Sequence, residues 1–538
     1  MKAVDFLLQT LDKNGVEVIF GNPGTTEIPL VRACGRHGEI RYVVALSEVA
    51  AVPMADGYAR ATRKLGVVNL HVAPGLGNGS GALYTAGIAG TPLLVLIGGQ
   101  DRRFLHTGPI LWGPVEQMAR GVCKAVYGLS TRYDAAANVR RALRCALTPP
   151  YGPVALICPP DLLEQEIGDE PTVVNAPALS GLDPACIEDY VQFLASAKSP
   201  AVIAAEDVHW SAAGEEKLEN LAQHLHAAVY AAPYTGVLPI SAASQWYAGY
   251  LPPSLKQISE RLEQHDALLF LGGRGVRTTL YSEAKLPQRK AWIGTDPTVQ
   301  ASGGGEFALA RIADIAHALR AIDSLLRVKR PAPKKKTASA RPVVELPKTK
   351  KGALHPTRAV AALLERYGDA IWFDESGLST SDVRQWMQLP AGEYIVNGSG
   401  GIGWGLAAAV GAAIGKPERT IVAAIGDGSA LYASEAMWSA SHRGATNMVL
   451  IVFANRRYAT LNEAAGRLAG GALQSFTIEP PVLDFSGLAT LYGWRYAAAA
   501  TEAELQAFLA GPLASGANTL LELKLDPALK PVTASRHF

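Results

Sequence analysis

Cysteine is scarce in this chain: five residues in 538, at Cys34, Cys123, Cys145, Cys158 and Cys186, with no Cys-x-x-Cys pair among them. That scarcity argues against a disulfide framework and a cysteine-built zinc site, and it makes a reducing compartment, the cytoplasm, the expected location. Absent too is any apolar run of the roughly 20 residues that a membrane-spanning helix needs. Neither sign of charge is in excess, since 50 Lys plus Arg stand against 48 Asp plus Glu for a net charge of +2. Electrostatics therefore gives no ground for a nucleic-acid or anionic-membrane partner. The opening Met1-Lys2-Ala3-Val4-Asp5-Phe6-Leu7-Leu8 lacks a small-residue cleavage pattern and reads as an amphipathic first helix, not a secretory signal. What the chain does have is core: 49% of it is hydrophobic, over a length that implies several domains.

Short β-branched and apolar runs alternate with helical patterns. Val16–Phe20, Ile40–Leu46, Val67–Leu70, Pro92–Ile97 and Val154–Ile157 read as buried strands, followed by Ala201–Ala205 and Ala267–Leu271, and later by Ala370–Phe373, Tyr394–Val396, Arg419–Ile425 and Met448–Phe453. Strand–helix alternation of this kind defines α/β domains with doubly wound parallel sheets. Between the second and third groups, the Pro- and Lys-rich stretch from Arg327 to Lys351 cannot bury a core and reads as a solvated connector.

The most informative stretch is Gly426-Asp427-Gly428-Ser429 with the later Asn455. Each of the two residues Asp427 and Asn455 follows a buried strand, and one helix lies between those strands. A right-handed crossover makes such strands parallel, so both ends reach the same sheet edge, where ligands of open α/β sheets bind. A carboxylate, an amide oxygen and a backbone carbonyl there suit Mg²⁺ or Ca²⁺, with phosphate oxygens completing the shell. The flanking glycines allow close backbone approach.

On these residues the sequence resembles the thiamine-diphosphate (ThDP) enzymes, whose signature is this Gly-Asp-Gly-to-Asn spacing, and the resemblance runs over essentially the whole chain. The nearest branch is benzoylformate decarboxylase, on Gly21-Asn22-Pro23-Gly24-Thr25, Asn69-Leu70-His71, Gly75 to Asn78 and Gly426 to Tyr432. The resemblance implies a pyrimidine-binding domain over 1–182, a central domain over 183–326, a linker over 327–353 and a diphosphate-binding domain over 354–538. It implies ThDP and Mg²⁺ as cofactors, with Asp427, Asn455 and the Arg457 carbonyl on the metal. Gly377, Leu378, Gly401, Ile402, Gly426, Gly428, Ser429, Tyr432 and Tyr458 would contact ThDP, Ile402 propping its bent form. Glu48, otherwise an ordinary acid favoured in a first helical turn, would hydrogen-bond the aminopyrimidine. His71 would be the acid–base group, and Thr25, standing where the branch usually has serine, would hold the substrate carboxylate. Glu48 and the metal residues would come from different subunits, which makes a homodimer the minimum and a homotetramer the family expectation. The implied reaction is decarboxylation of a 2-oxo acid through an enamine, ending in aldehyde release or in carboligation to an aldehyde acceptor.

Two departures stand out. The branch's second active-site histidine is absent from Arg277-Thr278-Thr279-Leu280-Tyr281, and the segment from Asn455 to Ala464 is polar or small where an aromatic substrate would want apolar bulk. Three other readings remain. An acetolactate-synthase-like carboligase could carry FAD, possible but not expected, with its ADP part in the turn Leu271-Gly272-Gly273-Arg274-Gly275. Gly398, Gly400 and Gly403 match a dinucleotide fingerprint by spacing. A ThDP-fold binding protein without turnover is the third.

Overall fold

The computed structural model describes residues 1–273, 275–279, 283–286, 288–299, 306–329, 341, 344–348, 353–468, 474–511 and 516–533. These described residues build three six-stranded sheets in which all neighbours run parallel. The first holds β1 (Val18–Gly21), β2 (Arg41–Val44), β3 (Gly66–Leu70), β4 (Leu93–Gly98), β5 (Ala125–Gly128) and β6 (Pro153–Cys158), in the order β2-β1-β3-β4-β6-β5. The second holds β7 (Pro200–Ala204), β8 (Ala228–Ala231), β9 (Tyr247–Tyr250), β10 (Ala267–Leu271), β11 (Arg289–Gly294) and β12 (Leu309–Ile312), in the order β12-β11-β10-β7-β8-β9. The third holds β13 (Ile371–Glu375), β14 (Tyr394–Val396), β15 (Ile421–Gly426), β16 (Met448–Ala454), β17 (Arg495–Ala499) and β18 (Thr519–Lys524), in the order β14-β13-β15-β16-β18-β17. Counted from its own first strand, the third sheet repeats the order of the first. In both, the order reverses between the first and third strands, and that crevice is the natural ligand position of an open α/β sheet.

Central strands such as β4, β15 and β16 are buried almost throughout, which is why each reads as an unbroken apolar run. The first and third domains meet through the helices Glu48–Thr62 and Gly405–Gly415. A Cβ on Gly57 would overlap the Ala408 carbonyl, and one on Gly411 would overlap that of Met54, so the two backbones touch. Beside this crossing the buried Arg60 pairs with Asp56 at 2.6 Å and lies 4.6 Å over the Trp404 ring, whose Nε1 donates to Asp56 Oδ2 at 2.7 Å. Charges so deeply buried persist because each is paired and hydrogen-bonded.

One boundary needs correcting. Arg327–Lys329, expected in the connector, complete the helix Ile315–Lys329, because Ile322 and Leu326 continue its buried stripe. Of the rest of that connector, 330–340, 342, 343 and 349–352 lie outside the described residues, as do Arg274, Leu280 and Tyr281. Among the described residues no helix is long and apolar enough to cross a membrane.

Candidate active site

At the crevice of the third sheet, Asp427 follows β15 and Asn455 follows β16, and Ala424 and Ile451 pair across the two strands. Asp427 is 4% exposed. Its Oδ1 accepts the Gly428 amide at 2.9 Å and its Oδ2 the Arg456 amide at 2.6 Å. Burial outweighs these amides and pushes its carboxyl up to about 6. Asn455 Oδ1 accepts the Arg457 amide at 3.2 Å, and the Arg457 carbonyl accepts the Ala459 amide at 2.9 Å, leaving that oxygen a second lone pair. Asp427, Asn455 and Arg457 line one cavity of about 920 Å³ together with Gly377, Leu378, Gly401, Ile402, Gly426, Gly428, Ser429 and Tyr458. Gly377 needs its φ of +62° for the turn beneath that cavity. Tyr432 is not in the lining; its ring lies where a Cβ on Gly403 would go, and it is 58% exposed.

Glu375 ends β13 in the same cavity. Its carboxylate accepts the amides of Gly403 (2.5 Å), Trp404 (3.0 Å) and Gly405 (2.5 Å) at the head of the Gly405–Gly415 helix. Burial pushes its carboxyl up to about 7, against the pull of those amides. This removes the dinucleotide reading of Gly398, Gly400 and Gly403. The helix N-terminus that would hold a pyrophosphate is taken by a side chain of the protein, and Gly398 and Gly403 instead make room for the Tyr234 carbonyl and the Tyr432 ring.

A second cluster forms at the crevice of the first sheet. Glu48 opens its helix behind the N-cap Ser47 and is 4% exposed, with Oε2 accepting the Asn78 side-chain amide at 3.1 Å. Gly75 lies against both the Glu48 carboxylate and the His71 Cβ, so the two side chains share one rim. The His71 Nδ1 is 2.7 Å from Oε2 of Glu27, which is 2% exposed and also accepts the Gly24 amide at 2.9 Å and the Thr26 hydroxyl at 2.7 Å. The imidazole rests on Gly24, whose missing Cβ leaves room for it. With Nδ1 given to the carboxylate, Nε2 is the ring nitrogen without a partner among the described residues. Val72, next in sequence, has φ +39°, an outlier for a β-branched residue and a form of strain that collects at functional sites. Thr25 is exposed on this rim; it is Thr26 that reaches His71, at 3.3 Å. Asn69 is internal, accepting from the Tyr42 hydroxyl and donating to the Leu96 carbonyl.

No residue before Pro233 lines the 920 Å³ cavity, so Glu48, His71 and Thr25 lie outside the cavity of their own chain. Two sheet-edge crevices carrying these motifs, each in its own domain, agree with three family models along the chain. Thiamine pyrophosphate enzyme, N-terminal TPP binding domain, matches residues 1–119; the central domain of the same enzymes matches 187–322; and the C-terminal TPP binding domain matches 375–523. The benzoylformate decarboxylase of Pseudomonas aeruginosa is 30% identical over 96% of this chain and 97% of its own. The chain belongs to the thiamine pyrophosphate enzyme family.

Within this family, thiamine pyrophosphate being another name for ThDP, the similarity extends to both branches considered from sequence. The acetolactate synthase large subunit of Haemophilus influenzae is 25% identical over 95% of this chain and 91% of its own. Among solved structures, the ThDP-dependent 4-hydroxybenzoylformate decarboxylase of Rhodococcus jostii RHA1 superposes with a TM-score of 0.89 at 28% identity, covering 98% of this chain and 99% of that one.

Sequence reasoning missed Glu27 and Glu375. Glu27 is separated from His71 by 44 positions, and only the β1–β3 pairing brings them together. Glu375 carried a usable signal, being an acid at the very end of a buried strand, as Asp427 is just past the end of one.

Proposed function

We propose that this member of the family is a ThDP- and Mg²⁺-dependent 2-oxo acid decarboxylase of the benzoylformate decarboxylase type, with carboligase capacity. The observation that carries the reading is the cavity in which a desolvated Asp427 carboxylate, hydrogen-bonded only by backbone amides among the contacts described, faces Asn455 and the glycine-flanked turn. A buried carboxylate in that state is completed by a divalent cation, and the donor set is all oxygen, as Mg²⁺ prefers. Asp427, Asn455 and the Arg457 carbonyl would hold the ion. Gly377, Leu378, Gly401, Ile402 and Gly426–Ser429 would seat the diphosphate and thiazolium, with Tyr458 at the edge of the seat and Tyr432 buttressing Gly403 from outside.

Bound ThDP supplies a nucleophilic carbon and an electron sink for the bond to the substrate carboxylate. The chain's own residues do the rest. Glu48, positioned by Asn78, would hydrogen-bond the pyrimidine, and His71, oriented by Glu27, would move a proton at Nε2. Thr25 on the same rim would meet the substrate carboxylate. Because these side chains lie outside the cavity of their own chain, a second copy has to bring them to it. The working unit is thus at least a homodimer and, on the family pattern, a homotetramer.

In the central domain, the crevice between β7 and β10 is filled from within. Asp207 accepts the Gly273 amide at 3.2 Å, sits where a Cβ on Gly272 would go, and has its carboxyl pushed up to about 7 by burial and by Glu206. A buried protein carboxylate beside this turn would repel a nucleotide phosphate, so the proposed function is built without FAD or ADP there. Acetolactate-synthase-like ligation is the second reading, favoured by the polar Asn397 and Thr460 in the cavity wall. Product analysis over aliphatic and aromatic 2-oxo acids, with ThDP and Mg²⁺ and with or without added aldehyde, tests both. Aldehyde as the main product supports the first, and 2-hydroxy ketone alone the second. No CO₂ from any acid would refute both.

A further inference from the structure

The segment Arg277–Thr279 carries no histidine, and Arg277 is turned to structural use: Nη2 donates to Glu206 at 3.0 Å, and Nη1 donates to the Ile88 carbonyl at 3.3 Å. The cavity wall on the central-domain side offers a different group. Tyr234 follows β8, lines the cavity, and has its hydroxyl bonded to Thr279 Oγ1. Its φ is +58°, a left-handed conformation that aromatic residues rarely adopt. The surroundings hold it there. Val396 donates its amide to the Gly236 carbonyl at 2.9 Å, Leu238 donates to Tyr394 at 2.9 Å, and Val237 bridges Ile395, so the segment after Tyr234 is stitched onto β14 of the third sheet. Gly398 gives its side-chain space to the Tyr234 carbonyl, and Thr235 is fixed to Glu206 at 3.0 Å. Strain maintained by contacts from two domains, at a cavity wall, is the kind found where a side chain must be aimed.

The geometry points to Tyr234 as a catalytic proton donor of this chain, recharged through Thr279; this rests on the 2-oxo acid reading above. A phenol O–H donates at neutral pH. After CO₂ departs, the carbon that carried it needs one proton for aldehyde release. The Tyr234 O–H bond breaks, the proton goes to that carbon, and the phenolate oxygen retakes a proton through the Thr279 hydroxyl, which takes one from water as it gives its own, so no alkoxide is formed. Thr279 is exposed and is refilled from water. One solvent proton is consumed per aldehyde, and nothing is oxidised or reduced.

Tyr234→Phe keeps the ring and the strained backbone and removes only the hydroxyl. Aldehyde formation should fall about 100-fold, with a larger share of ligated product when aldehyde is added, while ThDP and Mg²⁺ affinities stay within about twofold. Thr279→Val, which leaves the phenol in place, should move the same ratio in the same direction by less. Without ThDP, benzaldehyde binding followed by saturation-transfer NMR should weaken by about 2- to 10-fold in Tyr234→Phe, the value of one lost hydrogen bond. A wild-type product ratio in Tyr234→Phe, unchanged benzaldehyde binding, or loss of cofactor affinity in parallel with activity would each overturn the assignment. Wild-type protein that binds ThDP yet releases no CO₂ from any 2-oxo acid would instead remove the underlying reading, and this assignment with it.

Discussion

Glu375→Gln separates two opposing forces on one carboxyl. Three amides at a helix head pull it toward the charged form, and burial pushes it toward the neutral one. The structure has burial winning, with the carboxyl at about 7 against an ordinary 4.5. Holding it there costs the charged form about 3 kcal/mol. The sign follows directly. Between about 4.5 and about 7 the folded chain keeps a proton that the unfolded chain has released, so stability falls as pH rises through that window and is flat outside it. Glutamine has no such titration, while Asp207, whose carboxyl is also near 7, contributes the same slope in both proteins. Thermal midpoints of ThDP-free wild type and Glu375→Gln at pH 5 and pH 8 should therefore diverge. Between these two pH values the wild type should lose about 2.5 kcal/mol more than the variant, roughly 5–10 °C on a domain of this size. Equal losses, or a wild type that gains stability toward pH 8, would mean that the three amides win and that the reasoning is wrong.

Other expectations follow from the two clusters. Asp427→Ala should abolish the Mg²⁺ dependence of ThDP binding, seen by titration with and without the ion; unchanged affinity would contradict the proposed clamp. Glu48→Gln should lower turnover by orders of magnitude with ThDP still bound, and normal deuterium exchange at the thiazolium C2 would refute its role. Glu27→Gln should cost about 10²- to 10⁴-fold in kcat/KM while leaving ThDP affinity unchanged, because it frees the imidazole from the carboxylate that fixes its orientation; wild-type kcat/KM would show that His71 needs no such support.

Much of the fold was legible because buried parallel strands announce themselves locally. Ile421–Gly426 and Met448–Ala454 are apolar runs because helices cover both faces of their sheet, and a short polar loop after each run marks the ligand edge. Edge strands such as Ala125–Gly128 and Leu309–Ile312 went unread, since they are half-buried or exposed and carry no such run. The fingerprint glycines misled for a related reason. Spacing alone cannot say whether a Cβ is excluded by a pyrophosphate, by the Tyr234 carbonyl or by the Tyr432 ring.

From sequence alone came the kind of chemistry: Asp427 and Asn455 after adjacent strands, and Glu48 and His71 at two other strand ends, each encoded within a few residues of the element that presents it. Tertiary structure decided which of these groups share a space. The touching backbones at Gly57 and Gly411 fix the first domain against the third so that Glu48 lies outside its own chain's cavity. The β1–β3 pairing delivers Glu27 to His71, and the hydrogen bonds of residues 236–238 to β14 fix the segment that follows Tyr234. Such contacts join residues far apart in the chain, and they exist only once separate sheets have packed against one another.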